Sequence, residues 1–284
     1  MKLSKIIKAV AASTLALSLV VANAPDVSAK QTKTLTVGAT TSPHAIILKH
    51  VKKEFEAKGY KLKIKEFSDY PEIDPSTSDG SLDANYFQHQ PYLTSYNKDK
   101  GYKKGDDGYL VSAGKIHFEP MGIYSGKSDD LDNIADGAQI AIPNDESNEA
   151  RALLLLQDQG LITLKKSVTP TTTKITLKAV TSNPHKLDLV EMDGAQIASK
   201  LGDVDFGIIN GNYALDYGID PSTAIFEEKD YDDDSYFCLM AVRSSDADDA
   251  VYKRIVELFQ SETTKQIFQD EFNGYFVPAW EVQK

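Results

Sequence analysis

One eleven-residue segment of the chain collects side chains that suit the binding of a small zwitterion. It runs from Asp83 to Leu93 with the sequence DANYFQHQPYL and contains three aromatic residues, one histidine and three amides. Buried amides and imidazoles need hydrogen-bond partners, so the mixture is unusual for a strand in a hydrophobic core. Two interpretations stay open at this point: the segment lines a binding site, or it is a rim loop whose polar groups are satisfied locally.

Arg151 is the second residue whose chemistry suits such a ligand. It lies in the sequence NEARAL, within a predicted helix, and the chain has only two other arginines, Arg243 and Arg254. A guanidinium can hold a carboxylate through two parallel hydrogen bonds, a geometry that lysine cannot offer. The alternative is an ion pair with Glu149 or Asp145 on the protein surface.

The sequence carries few signs of catalysis. The motifs G-x-S-x-G, H-E-x-x-H and G-x-G-x-x-G are absent. Among the five histidines, only His44 and His50 are close in sequence, and their spacing of six residues fits no helical pair of metal ligands. A metal site assembled from distant segments stays open. The single cysteine, Cys238, lies in an apolar run and is interpreted as a buried structural thiol. We therefore predict no catalytic residue, no metal ligand and no cofactor.

Alternating strands and helices must position these side chains. Residues 34–38 alternate like a short strand, and Ser42 is a candidate N-cap for the helix that follows. Apolar residues then recur at every fourth position across 47–55, and residues 60–65 form the next strand. This β-α-β opening predicts a parallel pair of strands in an α/β protein. Further strands are predicted at 84–87, 118–124, 138–142, 187–190, 206–209 and 236–242, and further helical segments at 91–100, 131–135, 144–159 and 251–268.

The length and the net charge of the chain make some classes of partner poor candidates. The chain has 284 residues, which is enough to bury a full core in one large domain or two smaller ones. It carries 31 basic and 42 acidic residues, a formal net charge of −11. An acidic protein repels phosphate backbones and anionic lipid headgroups, so nucleic acid and the membrane surface are poor candidate partners.

The first 29 residues are interpreted as a signal peptide. Lys2, Lys5 and Lys8 precede a charge-free apolar run at 9–22, and small residues then lead to a predicted cleavage after Ala29. The run is about 14 residues long, shorter than the roughly 20 that span a bilayer. A retained membrane anchor is the alternative. We predict an exported, extracytoplasmic protein.

Four segments of the chain resemble one family. They are FSDY at 67–70, DANYFQHQPYL at 83–93, PNDESNEARALLLLQDQGLI at 143–162 and IINGNYA at 208–214. All four look like signature segments of the NlpA-type methionine-binding lipoproteins, the substrate-binding subunits of methionine ABC importers. The resemblance continues in order from about Leu35 to Trp280. It implies the type II periplasmic-binding-protein fold, an α/β fold of two parallel-sheet lobes joined by crossover strands. The lobes are expected at 30–118 plus 240–284 and at 119–239.

The resemblance also implies a wall around the apolar part of the ligand. Tyr70, Phe87 and His89 match family positions that surround a thioether side chain. Tyr92 and Gln88 lie in the same motif and are further candidates for this wall. The residue types agree with that role, because a polarizable sulfur packs well against aromatic rings.

A second group of residues is implied for the charged part of the ligand. Arg151 matches the family arginine that takes the ligand carboxylate, and Asn148 and Asn210 match amides that help to hold the carboxylate and ammonium groups. The resemblance thus predicts a non-enzymatic, monomeric binding protein. It would close its lobes around L-methionine or a closely related amino acid and deliver the ligand to the permease of an ABC importer.

The chain departs from the family pattern in three places. It lacks the lipobox cysteine that ends the family's signal peptide, since Cys238 is far away, and lipid anchoring is therefore not predicted. The segments 40–44 and 71–80 also differ from the family. A methionine-containing dipeptide or another small amino acid is the alternative ligand. A cleft enzyme or a surface adhesion or scaffold protein on the same fold is the alternative of another class.

Overall fold

Strands and helices alternate through residues 33–229 and 234–282, the part of the chain that the computed structural model describes. The predicted signal peptide at 1–29 lies outside these residues. The strands are β1 Thr34–Thr40, β2 Lys61–Phe67, β3 Ala84–His89, β4 Leu110–Phe118, β5 Met121–Ser125, β6 Gln139–Pro143, β7 Thr163–Leu164, β8 Val180–Ser182, β9 Asp188–Met192, β10 Phe206–Asn210, β11 Phe226–Glu227, β12 Phe237–Arg243 and β13 Val277–Pro278. The helices are α1 Ile46–Ala57, α2 Ile73–Ser78, α3 Gln90–Asp99, α4 Glu146–Asp158, α5 Gly194–Lys200, α6 Gly211–Tyr217, α7 Ala250–Phe259, α8 Glu262–Phe272 and α9 Ala279–Val282.

Two large sheets organise the fold. One has six strands in the order β13-β4-β12-β3-β1-β2, and the other has five in the order β11-β5-β10-β6-β9. The predicted β-α-β opening is confirmed, because β1 pairs parallel with both β2 and β3. Both sheets are mixed, however: β12 runs antiparallel to β3 and β4, and β5 runs antiparallel to β10. The expectation of purely parallel sheets was therefore too simple.

The chain passes between the sheets at two points. The strands of the six-stranded sheet come from residues 34–118 and 237–278, and those of the five-stranded sheet from residues 121–227. We propose that the two lobes follow the two sheets. The first limit then lies near residue 119, as the sequence predicts, and the second lies before Phe237 because all of β12 belongs to the six-stranded sheet.

Two segments that were each predicted as a single element contain two elements in the structure. The strand expected at 118–124 covers the last residue of β4 and most of β5, which belong to different sheets. The helix expected at 251–268 consists of α7 and α8. The break falls at Gln260 and Ser261, where the Ser261 hydroxyl caps α8 by accepting a hydrogen bond from the backbone N–H of Thr264.

Two smaller expectations were wrong. Ser42 does not cap α1: its backbone is extended, as at an N-cap, with φ −116° and ψ 144°, but its hydroxyl makes no capping hydrogen bond to a described residue, and α1 begins four residues later at Ile46. Residues 131–135 form turns and bends instead of a helical turn. Both segments are too short for periodicity to settle their backbone, so tertiary contacts decide it.

Each sheet carries a hydrophobic core. Apolar faces of α1, α7 and α8 pack beside the six-stranded sheet, and fully buried rings such as Phe55 and Phe259 belong to this core. The face of α4 that contains Leu153 and Leu156 packs beside the five-stranded sheet. A third buried cluster includes residues from both halves and adjoins the site described next. Within the described residues, no helix has the length and apolar character of a membrane span.

Candidate functional site

Three aromatic rings from neighbouring elements form one contiguous cluster. Tyr70 follows β2, Phe87 lies on β3 and Tyr92 lies in the first turn of α3. The ring centroid of Tyr70 is 5.3 Å from that of Phe87 and 5.6 Å from that of Tyr92, and Phe87 and Tyr92 are 5.5 Å apart. Burial raises the pKa of the Tyr70 and Tyr92 hydroxyls well above its usual value, so both rings are neutral. The cluster presents a polarizable surface that suits an apolar or sulfur-containing group.

His89 links this cluster to the opposite half of the molecule. It is the N-cap of α3, where its Nδ1 accepts the backbone N–H of Tyr92 at 3.2 Å. The proton of the neutral ring is therefore on Nε2, which donates to Oδ1 of Asn148 at 3.0 Å. Burial, together with the positive charge of Arg151, lowers the pKa of His89 to about 3. The imidazole is thus a neutral donor at physiological pH.

Asn148 and Asn210 form an amide pair on the side of the five-stranded sheet. The Nδ2 group of Asn148 donates to both carboxylate oxygens of Asp145, at 3.0 and 2.9 Å, and Asp145 is also the N-cap of α4. Asn210 ends β10, and its Nδ2 donates to Oδ1 of Asn148 at 3.0 Å. The Oδ1 atom of Asn210 is buried and has no hydrogen-bond partner among the described residues. A buried acceptor without a partner is costly, so this atom is ready for a donor on a ligand.

The guanidinium of Arg151 is buried and fixed on one edge. Its Nε lies 2.9 and 3.0 Å from the two carboxylate oxygens of Glu228, and its Nη2 donates to Glu228 and to the backbone carbonyl of Glu119. Burial acts to lower the pKa of Arg151, but the Glu228 carboxylate outweighs it and raises the pKa above its usual value. The partners Glu149 and Asp145, which the sequence left open, are therefore wrong.

The remaining edge of the Arg151 guanidinium is available for a ligand. Among the described residues, the structure gives Nη1 no hydrogen-bond acceptor. The Cζ atom of Arg151 lies 4.5 Å from the centroid of the Tyr236 ring, a cation–π contact that helps to hold the guanidinium in place. Glu228 lies just after β11, so it belongs to the same half of the molecule as Arg151. The ion pair does not bridge the two halves.

All seven predicted site residues line one narrow pocket between the halves. The space between the lining residues is about 260 Å³, including its opening to solvent. Four of the seven come from the side of the six-stranded sheet and three from the side of the five-stranded sheet. The lining residues are Tyr70, Phe87, Gln88, His89, Tyr92, Glu119, Asn148, Arg151, Asn210 and Cys238.

Sequence reasoning missed three residues of this site. Glu119 and Cys238 line the pocket, and Glu228 positions Arg151. Glu119 lies between β4 and β5, and a correct assignment of two strands there would have pointed to it. Cys238 is buried as predicted, and burial raises the pKa of its thiol well above the usual value. No signal in the sequence indicates Glu228, which is 77 positions from Arg151.

The pocket combines three features that match different parts of an amino acid. An aromatic cluster suits a side chain, a free edge of a guanidinium suits a carboxylate, and a buried carbonyl oxygen without a partner suits an ammonium group. Two α/β halves with such a pocket between them define a two-lobed substrate-binding protein. The profile of the family described as NlpA lipoprotein matches residues 35–280, and the chain belongs to this family.

Known proteins similar to the chain cover most of its length. It is 36% identical over 253 residues to the methionine-binding lipoprotein MetQ of Bacillus subtilis. The aligned residues make up 88% of this chain and 89% of that protein. It is also 36% identical over 225 residues to the D-methionine-binding lipoprotein MetQ of Escherichia coli K12, 78% of this chain and 79% of that protein. A solved structure of a nutrient-binding protein from Burkholderia cenocepacia, bound to methionine, is 40% identical, has a TM-score of 0.79, and matches 86% of this chain and 99% of that one.

Proposed function

We propose that this protein is an extracytoplasmic solute-binding protein that captures methionine by closing its two lobes and delivers it to the permease of an ABC importer. It performs no catalysis in this role. The proposal extends to the chain the ligand that the names of its B. subtilis and E. coli relatives and of the B. cenocepacia structure give for those proteins.

One observation carries the proposal. Among the described residues, Nη1 of Arg151 and Oδ1 of Asn210 have no hydrogen-bond partner on the side of the five-stranded sheet. The lining also contains two further unpaired acceptors, Oε1 of Gln88 and Oε2 of Glu119. A free amino acid supplies the complementary carboxylate and ammonium groups. Because the unpaired buried acceptor of Asn210 is costly in the empty site, a zwitterion that pairs it and also binds Nη1 of Arg151 gains affinity and selectivity.

The apolar end of the pocket supports methionine as the amino acid. The rings of Tyr70, Phe87 and Tyr92 present edges and faces to any side chain that enters between them. A flexible thioether adapts to such a surface and gains from sulfur–aromatic contacts. Methionine has about nine non-hydrogen atoms, and the ligand-efficiency ceiling of about 1.5 kcal/mol per atom allows nanomolar binding once the site closes.

The first test identifies the ligand directly. The purified protein is denatured, and the small molecules it releases are identified by mass spectrometry, with the enantiomer assigned by chiral chromatography. The stripped and refolded protein is then titrated by calorimetry with L-methionine, D-methionine, methionyl dipeptides and alanine. We expect methionine in the released fraction and submicromolar binding of at least one enantiomer, with alanine much weaker.

Two other outcomes would point elsewhere. Tight binding of a dipeptide with weak binding of free methionine would reassign the ligand. No heat with any amino acid or short peptide would favour an adhesion or scaffold role for the same fold. That role would also be favoured by an ion pair of Arg151 across the pocket, but Glu228 lies in the same half as Arg151.

A further inference from the structure

Four buried side chains converge at the point where the chain passes between the two sheets. His44 lies in the turn before α1, His117 lies on β4, Glu119 follows β4, and Cys238 lies on β12. One candidate ligand atom from each residue lies within 4.8 Å of the others. The Nε2 atoms of His44 and His117 are 3.9 and 3.6 Å from Oε2 of Glu119. His117 and Glu119 are two positions apart, whereas His44 and Cys238 are distant in the sequence and are brought to them by the fold.

The atoms that face each other in this cluster lack partners. His44 Nε2, His117 Nε2 and Glu119 Oε2 are buried without a hydrogen bond among the described residues. The other oxygen of Glu119 is already used, because it accepts the backbone N–H of Asn212 at 2.9 Å. Three unpaired buried atoms that point to one place are unusual, and each is costly alone.

The hydrogen bonds around His44 are compatible with a proton on its Nδ1 atom. In that tautomer Nδ1 donates to the Thr40 hydroxyl at 2.6 Å, and the hydroxyl donates to the carbonyl of Ser42 at 3.3 Å. The Nε2 atom of His44 then carries a lone pair and faces the carboxylate of Glu119. Two acceptors that face each other in a buried site repel unless an electropositive group lies between them.

We propose that His44, His117, Glu119 and Cys238 bind one divalent transition-metal ion of the zinc type. Imidazole, carboxylate and thiolate are ligands that zinc accepts in a tetrahedral site. With bonds of about 2.0 Å to nitrogen or oxygen and about 2.3 Å to sulfur, neighbouring ligand atoms are about 3.3 to 3.6 Å apart. The Nε2–Oε2 distances of 3.9 and 3.6 Å are near these values, and a pair as far apart as 4.8 Å would have to shorten by more than about 1 Å when the ion binds. One carboxylate and one thiolate neutralise the charge of the ion, as a buried site requires.

The surroundings of the cluster already have the hydrogen bonds that orient metal ligands. The Nδ1 atoms of His44 and His117 pair with the hydroxyls of Thr40 and Tyr86, both at 2.6 Å. Such contacts fix the ring orientation and the tautomer of ligating histidines. Glu119 lies on the first connection between the sheets, and Cys238 lies on β12 just after the second, so the ion would join the chain near both connections.

Metal content and spectroscopy test the proposal on the full chain. The protein is unfolded, refolded with zinc and dialysed against metal-free buffer, and its metal is counted by mass spectrometry. We expect one zinc per chain and a higher midpoint of thermal unfolding with zinc than without it. Refolding with cobalt is expected to give the near-ultraviolet charge-transfer absorption of a thiolate ligand, and Cys238→Ser is expected to abolish it.

Matched variants separate metal binding from folding. Tyr86→Phe removes only the hydroxyl that supports His117, and zinc affinity is expected to fall about 10- to 100-fold in this variant. His117→Gln removes the ligand itself, so we expect a larger loss of zinc affinity there. His50→Gln, at a partly exposed histidine beside Glu271, is the control and is expected to keep full zinc binding. Circular dichroism of each metal-free variant checks that it folds.

Two results would overturn the proposal. One is substoichiometric zinc together with an unfolding midpoint that zinc does not change; a buried water would then occupy the cluster. The other is full zinc binding in His117→Gln, which would place the ion elsewhere. Methionine titrations on the same samples report the proposed transport function separately, so either proposal can fail without the other.

Discussion

Arg151 has two roles, and each role uses a different edge of its guanidinium. Nε and Nη2 hold Glu228, whose carboxylate is largely buried, and Nη1 is left for a ligand. Removing the arginine therefore removes a ligand contact and also leaves Glu228 without its counter-charge. Breaking one partner of a buried ion pair costs about 3 to 5 kcal/mol of folding stability. A simple truncation of Arg151 would mix these two effects.

We expect the double variant Arg151→Met/Glu228→Gln to fold and to bind methionine more than about 100-fold more weakly. The two substitutions remove both charges, so no uncompensated carboxylate remains, while the charge-assisted bonds to the ligand carboxylate, worth about 3 kcal/mol together, are lost. Calorimetric titration measures the affinity, and urea unfolding measures the stability. Arg254→Met, at an exposed arginine that pairs with Glu257, is the matched control and should bind normally. Near-native affinity in the double variant would remove Arg151 from the site.

Asp74 should make the stability of the protein depend on pH. It accepts hydrogen bonds from Asn85 and Gln88, at 2.9 and 2.5 Å, but burial outweighs these bonds and raises its pKa from 3.8 to about 7. Between these two pH values the folded state binds a proton that the unfolded state has lost. The free energy of unfolding therefore decreases as pH rises through this window, and the decrease is complete above pH 7.

Asp74→Asn keeps the shape of the side chain and removes its ionisation. We expect the variant to match the parent protein at pH 4 and to exceed its free energy of unfolding at pH 8, by an amount on the order of a few kcal/mol. Urea unfolding at both pH values measures the difference. Asp79→Asn, at the exposed end of α2, is the control and should show no gain at pH 8. The same difference at both pH values would mean that Asp74 does not titrate in this range.

The residues of the site were predictable to the extent that they share short segments. Phe87, His89 and Tyr92 belong to one motif whose composition already differs from that of an ordinary core strand. The contact between Arg151 and Glu228 was not predictable, because it joins positions that no periodicity relates. The same is true of Asp74, whose burial depends on how α2 packs against β3 and β12.

The start of α4 joins helix stability to the geometry of the site. Asp145 accepts the backbone N–H of Asn148 as an N-cap and also holds the Asn148 side chain. Asp145→Ala is expected to lower the free energy of unfolding by about 1 kcal/mol, the usual contribution of a cap. It should also weaken methionine binding about tenfold, because the amide that contacts His89 and Asn210 loses its support.

A second cap provides the comparison for this prediction. Asp249 caps α7 through the backbone N–H of Val251 and is not a lining residue of the pocket. Asp249→Ala should therefore lose a similar amount of stability and keep the parent affinity. Urea unfolding measures the stability of both variants, and calorimetry measures their affinity for methionine. Equal affinity in the two variants would show that Asp145 supports only the helix.

Long periodic elements were predictable from the sequence, and the strands that connect the halves were not. Helix α4 was expected at 144–159 and found at Glu146–Asp158, since its apolar face is regular and Gly160 follows with φ 71°. Strand β4 was not expected. It contains Ser112, Gly114 and Lys115 and has a mixed burial pattern, so neither alternation nor a continuous apolar run marks it. Its pairing with β12, which is distant in sequence, is what makes it a strand.

The two halves touch each other across the pocket at several points. The Tyr70 and Tyr213 rings stack with centroids 4.5 Å apart, and the Tyr213 hydroxyl donates to Asp69 at 2.8 Å. On another side, the Ser95 hydroxyl donates to the carbonyl of Thr173 at 3.0 Å. The resemblance to the NlpA family predicted two lobes, but a sequence carries no direct signal for contacts between elements so far apart along the chain. Under the proposed closure mechanism, these contacts are the ones that a ligand helps to form.

Closure can be tested by weakening one of these contacts without touching the ligand pocket. Tyr213 is not a lining residue, yet its hydroxyl joins α6 to Asp69 in the other half. In Tyr213→Phe the ring stack remains and one hydrogen bond is lost, which disfavours the closed state by about 1 kcal/mol. A ligand held by closure should then dissociate about fivefold faster and associate at the parent rate, because affinity changes of this kind fall mainly on dissociation.

Stopped-flow measurement of methionine dissociation and association separates these two rates. Tyr217→Phe, at a tyrosine on the same helix that is 57% exposed, is the matched control and should change neither rate. A slower association with unchanged dissociation in Tyr213→Phe would mean that the hydrogen bond shapes the open state. Unchanged rates in both variants would mean that contacts between the lobes outside the pocket do not hold the ligand, and retention would then depend on the pocket residues alone.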